Sequence, residues 1–173
     1  YKLLFADCIF CENAIFEPRE LSNIPFTAGR IVWQAPNFDA SLIVPRATLP
    51  TPKTAEWLLG EALTNLYVGM GRYRRGEKLS AARFIQGYAV DRLVELSSHI
   101  ASEQPAHRDP FTPERRYEQR FPDIAPHLPR FMQGYERTPD SAIAILDFLS
   151  QHFDVNPALK AAILNLSKSA VKP

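Results

Sequence analysis

Residues 54–101 read TAEWLLGEALTNLYVGMGRYRRGEKLSAARFIQGYAVDRLVELSSHIA, and this stretch decides most of the fold. Its apolar residues recur every three or four positions, which is the spacing of one face of an α-helix. The pattern predicts a first long helix that starts at Thr54 or at the preceding Thr51 and ends near Gly76. Ser80 is the predicted cap of a second long helix that reaches the end of the stretch. We expect the two helices to pack antiparallel, because only a few residues separate them.

Three further helices are predicted downstream of this pair. A short helix covers 114–121, and two terminal helices cover about 139–152 and 157–169. Thr138 and Asn156 each precede a proline at the start of a terminal helix, so each is a predicted N-cap residue. Together these elements form a predicted helical bundle.

The residues before the helices have the composition of β-strands. Residues 1–17 read YKLLFADCIFCENAIFE, in which the runs 2–6 and 8–17 are rich in phenylalanine, isoleucine and leucine. Such runs favour strands, and their closeness in the sequence predicts a hairpin. A third β-rich run, GRIVWQ, occupies 29–34. The sequence therefore predicts a short antiparallel or mixed sheet at the beginning of the chain.

The expected fold class is α+β, with three parts in chain order. Residues 1–35 are expected to be terminal strands of a sheet, 36–53 a linker, and 54–173 a helical domain. The linker is rich in proline and has few periodic apolar residues, which is typical of a domain boundary.

The overall composition is that of a globular protein. Of the 173 residues 46% are hydrophobic, and the formal net charge is +1 at pH 7. A nearly neutral chain has no general electrostatic attraction to nucleic acid or to an anionic membrane, so neither is an expected partner. No apolar run approaches the roughly 20 residues of a membrane-spanning helix, and the first residues lack the pattern of a signal peptide. We therefore expect a cytoplasmic protein.

No metal site is predicted from the cysteines and histidines. Cys8 and Cys11 are three residues apart on a predicted strand, so their side chains point to opposite faces and do not easily share a zinc ion or a disulfide. His107, His127 and His152 lie in different segments without the spacing of a ligand set. We expect both cysteines to be reduced structural residues.

Glu12 is the leading candidate for a catalytic residue. It lies among apolar residues, and a carboxylate on a buried strand costs several kcal/mol unless a cation, a metal or hydrogen bonds compensate it. A structural explanation is that Glu12 pairs with an arginine such as Arg30, or that it lies at a solvent-facing edge. The functional alternative is a catalytic carboxylate.

The second helix carries a mixed aromatic and acidic stripe beside its apolar face. The stripe residues follow one another at three- and four-residue steps: Phe84, Tyr88, Asp91, Glu95 and His99. Asp91 and Glu95 repel each other at this spacing unless a cation such as Arg92, or a basic residue of the first helix, intervenes. The stripe is either the flank of a helix that meets a neighbour or part of a pocket for a cationic ligand. The predicted substrate-binding residues of such a pocket are Tyr88, Asp91, Glu95 and Arg92.

Three segments of the chain resemble one enzyme family. They are LFADCIFCENAIFEPREL at 4–21, GRYRRGEKLSAARFIQGYAVDRLVEL at 71–96 and RDPFTPERRYEQRFP at 108–122. In these segments the chain is similar to the lincosamide nucleotidyltransferases, the antibiotic-resistance enzymes that adenylylate drugs such as lincomycin and clindamycin. The resemblance covers most of the chain.

This resemblance implies a nucleotidyltransferase sheet followed by a helical domain, with the drug pocket between domains and at a dimer interface. The family's sheet carries a Gly-Ser turn, an Asp-x-Asp pair that binds magnesium and the phosphates of ATP, and a third carboxylate on a later strand. Glu12 best fits the third carboxylate, and Asp7 and Glu17 are weaker alternatives. The implied role is general base toward the acceptor hydroxyl, or help in holding magnesium.

The other parts of that site are absent from the sequence. No Gly-Ser dipeptide occurs, and none of the 19 acidic residues stands two positions from another, so there is no Asp-x-Asp pair. We therefore expect the chain to be the C-terminal part of a longer enzyme and to be inactive alone. Mg²⁺ and ATP are cofactors of the complete family enzyme, and neither is expected to bind tightly to this chain by itself.

Two functions follow as expectations. In the first, the chain is part of a nucleotidyltransferase that transfers AMP from Mg-ATP to a hydroxyl of a lincosamide-type antibiotic or a similar cationic ligand. In the second, it is a non-catalytic helical module for protein interaction or small-ligand binding. We expect a homodimer, because an unpaired strand edge at the beginning of the chain needs cover.

Overall fold

The computed structural model divides the chain into two compact units, Tyr1–Pro50 and Thr51–Pro173. Their boundary lies inside the segment predicted to be a linker. The structure describes residues 33–37, 39, 51–105 and 112–168, together with the backbone alone of 2–3 and 12–13.

The first unit contains one short antiparallel pairing among its described residues. Strand β1 covers Lys2–Leu3 and strand β2 covers Glu12–Asn13. Lys2 lies opposite Asn13, and Leu3 lies opposite Glu12. Both pairs fall within the two runs predicted to form a hairpin. The predicted third strand lies outside the described residues except for Trp33 and Gln34, which have no strand pairing.

The predicted α+β fold class is wrong. About 70% of the described chain is helical, and the pairing of β1 with β2 is too short to form a layer of sheet. The error has a physical cause. Phenylalanine and isoleucine favour a strand only where neighbouring strands and a buried face pack against their side chains. The helical unit completes its own core without such a layer.

Helix α1 is the longest element and covers Ala55–Arg74. The Thr54 hydroxyl accepts a hydrogen bond from the Trp57 amide at 3.2 Å, so Thr54 is the N-cap and not the alternative Thr51. Its buried side includes Leu58, Leu66 and Met70. The chain then reverses at Gly76, whose φ of +85° is a left-handed conformation that glycine adopts without strain.

The second long helix of the prediction is one continuous helical run with three hydrogen-bonding patterns. It begins as α2, Lys78–Ala82, widens into a π-helix at Arg83–Ala89, and continues as α3, Val90–Leu96. A 3-10 turn at Ser97–His99 ends it. All three longer segments pack against α1, so the run returns along α1 as expected from the short connection.

Ser80 is not the cap of this run. It lies inside α2, and its hydroxyl accepts a hydrogen bond from Arg72 Nη1 at 2.8 Å. The residue at the cap position is Glu77, whose side chain makes no capping hydrogen bond. Glu77 instead pairs with Arg75 at 2.8 Å across the turn. Ser80, which was predicted to be an N-cap, therefore forms a contact between α2 and α1.

Gly69 explains how closely these two helices approach. A Cβ atom placed on Gly69 would lie 2.7 Å from Ile85 Cγ1 and 3.1 Å from Phe84 Cβ. Real Cβ atoms do not come so near another carbon, so the contact requires glycine at this position. The approach brings α1 directly against the π-helix.

The remaining helices complete the bundle. Their bounds are α4, Tyr117–Arg120; α5, Leu128–Phe131; α6, Thr138–His152; and α7, Pro157–Lys168. Short 3-10 turns precede α5 and α6 at Ala125–His127 and Tyr135–Arg137. The predicted cap of α7 is confirmed, because Asn156 Oδ1 accepts hydrogen bonds from the amides of Ala158 and Leu159 at 3.0 and 3.1 Å. Thr138 is the first residue of α6 and its hydroxyl donates to the Tyr135 carbonyl, so it is not a cap.

One apolar core holds these helices together. Its largest buried side chains are Tyr117, Phe121, Phe131, Leu66, Met70, Ile85, Leu93, Leu96, Ile124, Ile145, Leu146 and Leu149. α1, the π-helix, α3 and α6 all contribute to this list. The helical unit is therefore stabilised chiefly by the burial of apolar side chains between helices.

Two buried polar contacts fix the segment 112–120 on this core. The Ser97 hydroxyl donates to the Leu93 carbonyl at 2.9 Å and lies 2.6 Å from the Tyr117 hydroxyl, which therefore acts as donor to Ser97. Arg120 is 3% exposed, and its guanidinium donates to Glu103 at 2.6 Å and to the Pro113 carbonyl at 2.8 Å. Because their hydrogen bonds are made, these groups can be buried at low cost.

Candidate functional site

The predicted catalytic residue Glu12 belongs to β2, where its backbone pairs with Leu3. Its side chain lies outside the described residues, as do Asp7, Glu17 and Arg30. The general-base role of Glu12 stays a prediction.

The predicted substrate-binding residues all lie on the helical run that packs against α1. Tyr88 belongs to the π-helix, and Asp91, Arg92 and Glu95 belong to α3. Tyr88 and Asp91 are exposed, whereas Arg92 and Glu95 are half-buried. Tyr88 is the exposed tyrosine of this run, with 39% of its surface accessible to solvent.

Aromatic rings and arginines form a layered contact around Tyr88. The Phe84 and Tyr88 rings meet edge to face, with centroids 5.3 Å apart. Arg72 of α1 lies over Phe84, its Cζ 4.5 Å from the ring centroid, and Arg83 lies 5.8 Å from the centroid of Tyr88. Such contacts contribute about 0.5–1 kcal/mol each at exposed sites, so they orient the two rings without burying them.

The π-helix determines which residues share this surface. Its wider turn brings residues five positions apart onto one side, and Arg83 and Tyr88 have this separation. Gly87 precedes Tyr88, and a Cβ atom placed on it would meet nothing within 4 Å. The backbone beside Tyr88 is therefore open to another molecule. π-Helical turns occur frequently at functional sites.

The surroundings of Asp91 disfavour the negative charge of its carboxylate. Although much of the residue is exposed, the surrounding protein partly desolvates its carboxylate and raises its pKa above the ordinary value, and the nearby Glu114 carboxylate raises the pKa further. Arg92 acts in the opposite direction but does not compensate for these effects. A raised pKa means that the negative charge of Asp91 is destabilised in the folded protein. A bound cation would remove that cost.

Glu95 differs from Asp91, because its charge already has a partner. Arg92 Nη2 forms an ion pair with Glu95 Oε1 three residues further along α3. Arg92 Nε is buried without a hydrogen-bond partner. Arg92 thus forms its ion pair with Glu95, and its weaker electrostatic effect on Asp91 does not offset the raised pKa of that carboxyl.

We use the name aromatic–acidic surface for Phe84, Tyr88, Asp91 and Glu114. Glu114 was not among the predicted site residues. It lies before α4, 23 positions from Asp91 in the sequence, and it is exposed. The packing of Tyr117 against Ser97 brings its segment to α3, and no local sequence pattern predicts that contact.

Gln86 joins the π-helix to the residues at the beginning of α6. Its Nε2 donates to the Gly134 carbonyl and to the Thr138 hydroxyl, both at 2.9 Å, and its Oε1 accepts from the Gly134 amide at 2.8 Å. This contact ties the run that carries Tyr88 to the beginning of α6. Sequence reasoning missed Gln86, because an uncharged residue on a helix flank gives no signal of a partner 48 positions away.

A separate concave region lies between α5 and α6. It encloses about 250 Å³ and is lined by Arg130, Gln133, Arg137, Asp140, Ile143 and Ala144. None of the predicted site residues lines it. Arg137 and Asp140 pair with each other at 3.0 Å, so their charges are largely satisfied within the wall.

Within the described ranges, no three side chains of the types histidine, cysteine, aspartate and glutamate cluster closely enough to hold a metal ion. None of the helices in those ranges has both the length and the apolar character needed to cross a membrane. Cys8 and Cys11 lie outside the described residues.

The chain was compared with known proteins at three levels. No protein-family model, no curated protein and no solved structure matches it.

Proposed function

We propose that this chain is the helical, drug-binding part of a cytoplasmic nucleotidyltransferase that transfers AMP from Mg-ATP to a hydroxyl of a lincosamide-type antibiotic. The observation that carries the proposal is the juxtaposition of exposed Tyr88 with Asp91, whose negative charge is insufficiently compensated. Both residues lie within 71–96, one of the segments that resemble the family.

The chemistry of the aromatic–acidic surface suits a cationic ligand with apolar rings. A protonated amine next to Asp91 would stabilise the carboxylate that burial and Glu114 destabilise. Tyr88, whose ring already has Arg83 Cζ 5.8 Å from its centroid, offers apolar contact to the rings of the ligand. The open backbone at Gly87 leaves room for the body of the ligand.

The residues of this chain do not fit Mg²⁺ and ATP. The sequence has neither an Asp-x-Asp pair nor a Gly-Ser turn, and the described residues form no metal-ligating cluster. We therefore assign to this chain the binding and orientation of the drug and no catalytic step of its own. In the complete enzyme the proposed task of Glu12 is to take the proton from the drug hydroxyl that attacks the α-phosphate.

Calorimetric titration of the full chain with lincomycin tests the proposal. Tyr88→Ala and Asp91→Asn are expected to weaken binding by about tenfold each, which corresponds to the loss of one favourable contact. Asp123→Asn removes an exposed carboxylate elsewhere and is the matched control, with unchanged binding expected. Equal affinities of the Asp91→Asn and Asp123→Asn variants would contradict the proposed site. Adenylylation of lincomycin by the chain alone would contradict the assignment of ATP binding to absent parts.

A second candidate function is a non-catalytic helical module that forms a homodimer. It is favoured by Trp57 and Tyr67, large side chains of α1 that are 43% and 46% exposed. Sedimentation over a range of concentrations separates the two candidates. A chain that self-associates but binds no cationic drug would support the module and contradict the enzyme.

A further inference from the structure

The face of α1 that points away from the core carries a regular stripe. Its residues follow one another at alternating three- and four-residue steps: Trp57, Gly60, Thr64, Tyr67, Gly71 and Arg74. This heptad spacing is typical of a helix that packs along another helix. Trp57 and Tyr67 are large apolar groups whose exposure is unexplained by the fold of the helical unit, apart from the Lys53 ammonium, which lies 5.2 Å from the centroid of the Trp57 ring.

The two glycines of the stripe are also unexplained by that fold. A Cβ atom on Gly60 would meet nothing within 4 Å, and one on Gly71 would meet only Arg75 Nη1 at 3.7 Å. Gly69 on the opposite side has Ile85 at 2.7 Å and is required by packing. Glycine inside a helix costs about 1 kcal/mol relative to alanine, so Gly60 and Gly71 are expected only where something else approaches the helix.

The charges along α1 determine which partner fits. The first half of the helix carries Glu56 and Glu61 and no basic residue, whereas its last turn carries Arg72 and Arg74. A second α1 in antiparallel orientation places each acidic half against the basic half of the other copy. A parallel second copy would place like charges together.

We propose that a second copy of this chain packs on the stripe, with the two α1 helices antiparallel and the two-fold axis near Thr64. In this arrangement Trp57 faces Gly71 of the second copy, and Gly60 faces Tyr67. Each large side chain thus meets a glycine, which allows close approach of the helices. This inference deepens the proposed self-association by naming its surface, and it is independent of drug binding.

Charge reversal with rescue tests this interface in the full chain, using sedimentation velocity. Glu56→Arg and Arg74→Glu are each expected to weaken dimerisation by about tenfold, and the double variant is expected to restore it. Both side chains are exposed and have no ion-pair partner among the described residues, so the fold is expected to tolerate the changes. Glu118→Arg on α4 is the matched control and should leave dimerisation unchanged.

A Thr64→Cys variant in a Cys8→Ser, Cys11→Ser background supplies the geometric check. Oxidation is expected to give a disulfide-linked dimer, because residues on a two-fold axis lie within reach of each other. Ser98→Cys, also exposed, is the control. A chain that stays monomeric at high micromolar concentration overturns both the dimer and its surface. A dimer that is insensitive to the α1 charge variants overturns the surface and retains the dimer.

Discussion

Replacement of Gly69 by alanine tests the close approach of α1 to the π-helix. The added Cβ atom would lie 2.7 Å from Ile85 Cγ1, 3.0 Å from Ile85 Cδ1 and 3.1 Å from Phe84 Cβ. Ile85 is fully buried and β-branched, so its side chain has neither space nor a free rotamer to move into. The two helices must therefore separate to admit the methyl group.

The expected magnitude is the difference of two effects. Overpacking of a well-filled core costs about 1–3 kcal/mol, whereas replacing glycine by alanine inside a helix gains about 1 kcal/mol. We expect Gly69→Ala to destabilise the helical unit by up to about 2 kcal/mol. Gly60→Ala on the same helix has the same propensity gain and no clash within 4 Å, so it should stabilise the unit by about 0.5–1 kcal/mol.

Urea denaturation followed by circular dichroism measures both variants at a concentration below that of self-association. The denaturant dependence should stay the same as in the unmodified chain, because neither substitution changes the surface exposed on unfolding. Opposite signs for the two substitutions support the packing argument. If Gly69→Ala stabilises the protein as much as Gly60→Ala does, the close approach of α1 to the π-helix is refuted.

Three further changes have expected outcomes. Gln86→Leu removes the hydrogen bonds to Gly134 and Thr138 and should cost about 1–3 kcal/mol in the free energy of unfolding, measured in urea. Ser97→Ala leaves the buried Tyr117 hydroxyl without its partner and should cost about 1–3 kcal/mol, and equal stability of the variant and the unmodified chain would contradict the contact. Asp91→Asn should raise stability slightly at pH 7. The pKa of Asp91 is higher in the folded than in the unfolded protein, so its favourable contribution to folding is complete only below the unfolded pKa of about 3.9 and is lost as pH rises. Thermal denaturation at pH 3 and pH 7 checks that sign, and a stabilising effect that is as large at pH 3 as at pH 7 would refute it.

Local signals in the sequence predicted the long helices well, whereas the predicted helix 114–121 is shorter, Tyr117–Arg120, and α5 was not predicted. The cap at Thr54, the reversal at Gly76 and the cap at Asn156 depend on residues within one turn of the feature that they mark. Ser80 and Thr138 carry the same signal, yet their hydroxyls bind Arg72 and the Tyr135 carbonyl. A hydroxyl near a helix start therefore indicates a cap only where no better partner is in reach.

The sequence did not predict the π-helix or the surroundings of Asp91. A regular period of 3.6 residues was assumed through Arg83–Ala89, whereas close packing against Gly69 accompanies a wider turn there. Glu114 affects Asp91 only because Tyr117 is buried against Ser97. Both features come from contacts between distant segments, and periodicity contains no information about those.

Glycines occur at both of the proposed surfaces of the helical unit. Gly69 is required by packing inside the unit, but Gly60, Gly71 and Gly87 have no neighbour that would exclude a methyl group. Each of these three costs about 1 kcal/mol of helix stability relative to alanine. Gly60 lies between the exposed aromatic residues Trp57 and Tyr67 of α1, Gly71 lies one turn after Tyr67, and Gly87 lies beside Tyr88. In the two proposed complexes, contact of the other molecule with the backbone at these glycines would offset that cost. Alanine at Gly87 should therefore stabilise the free protein and weaken drug binding, whereas alanine at Gly60 should stabilise the monomer and weaken the dimer.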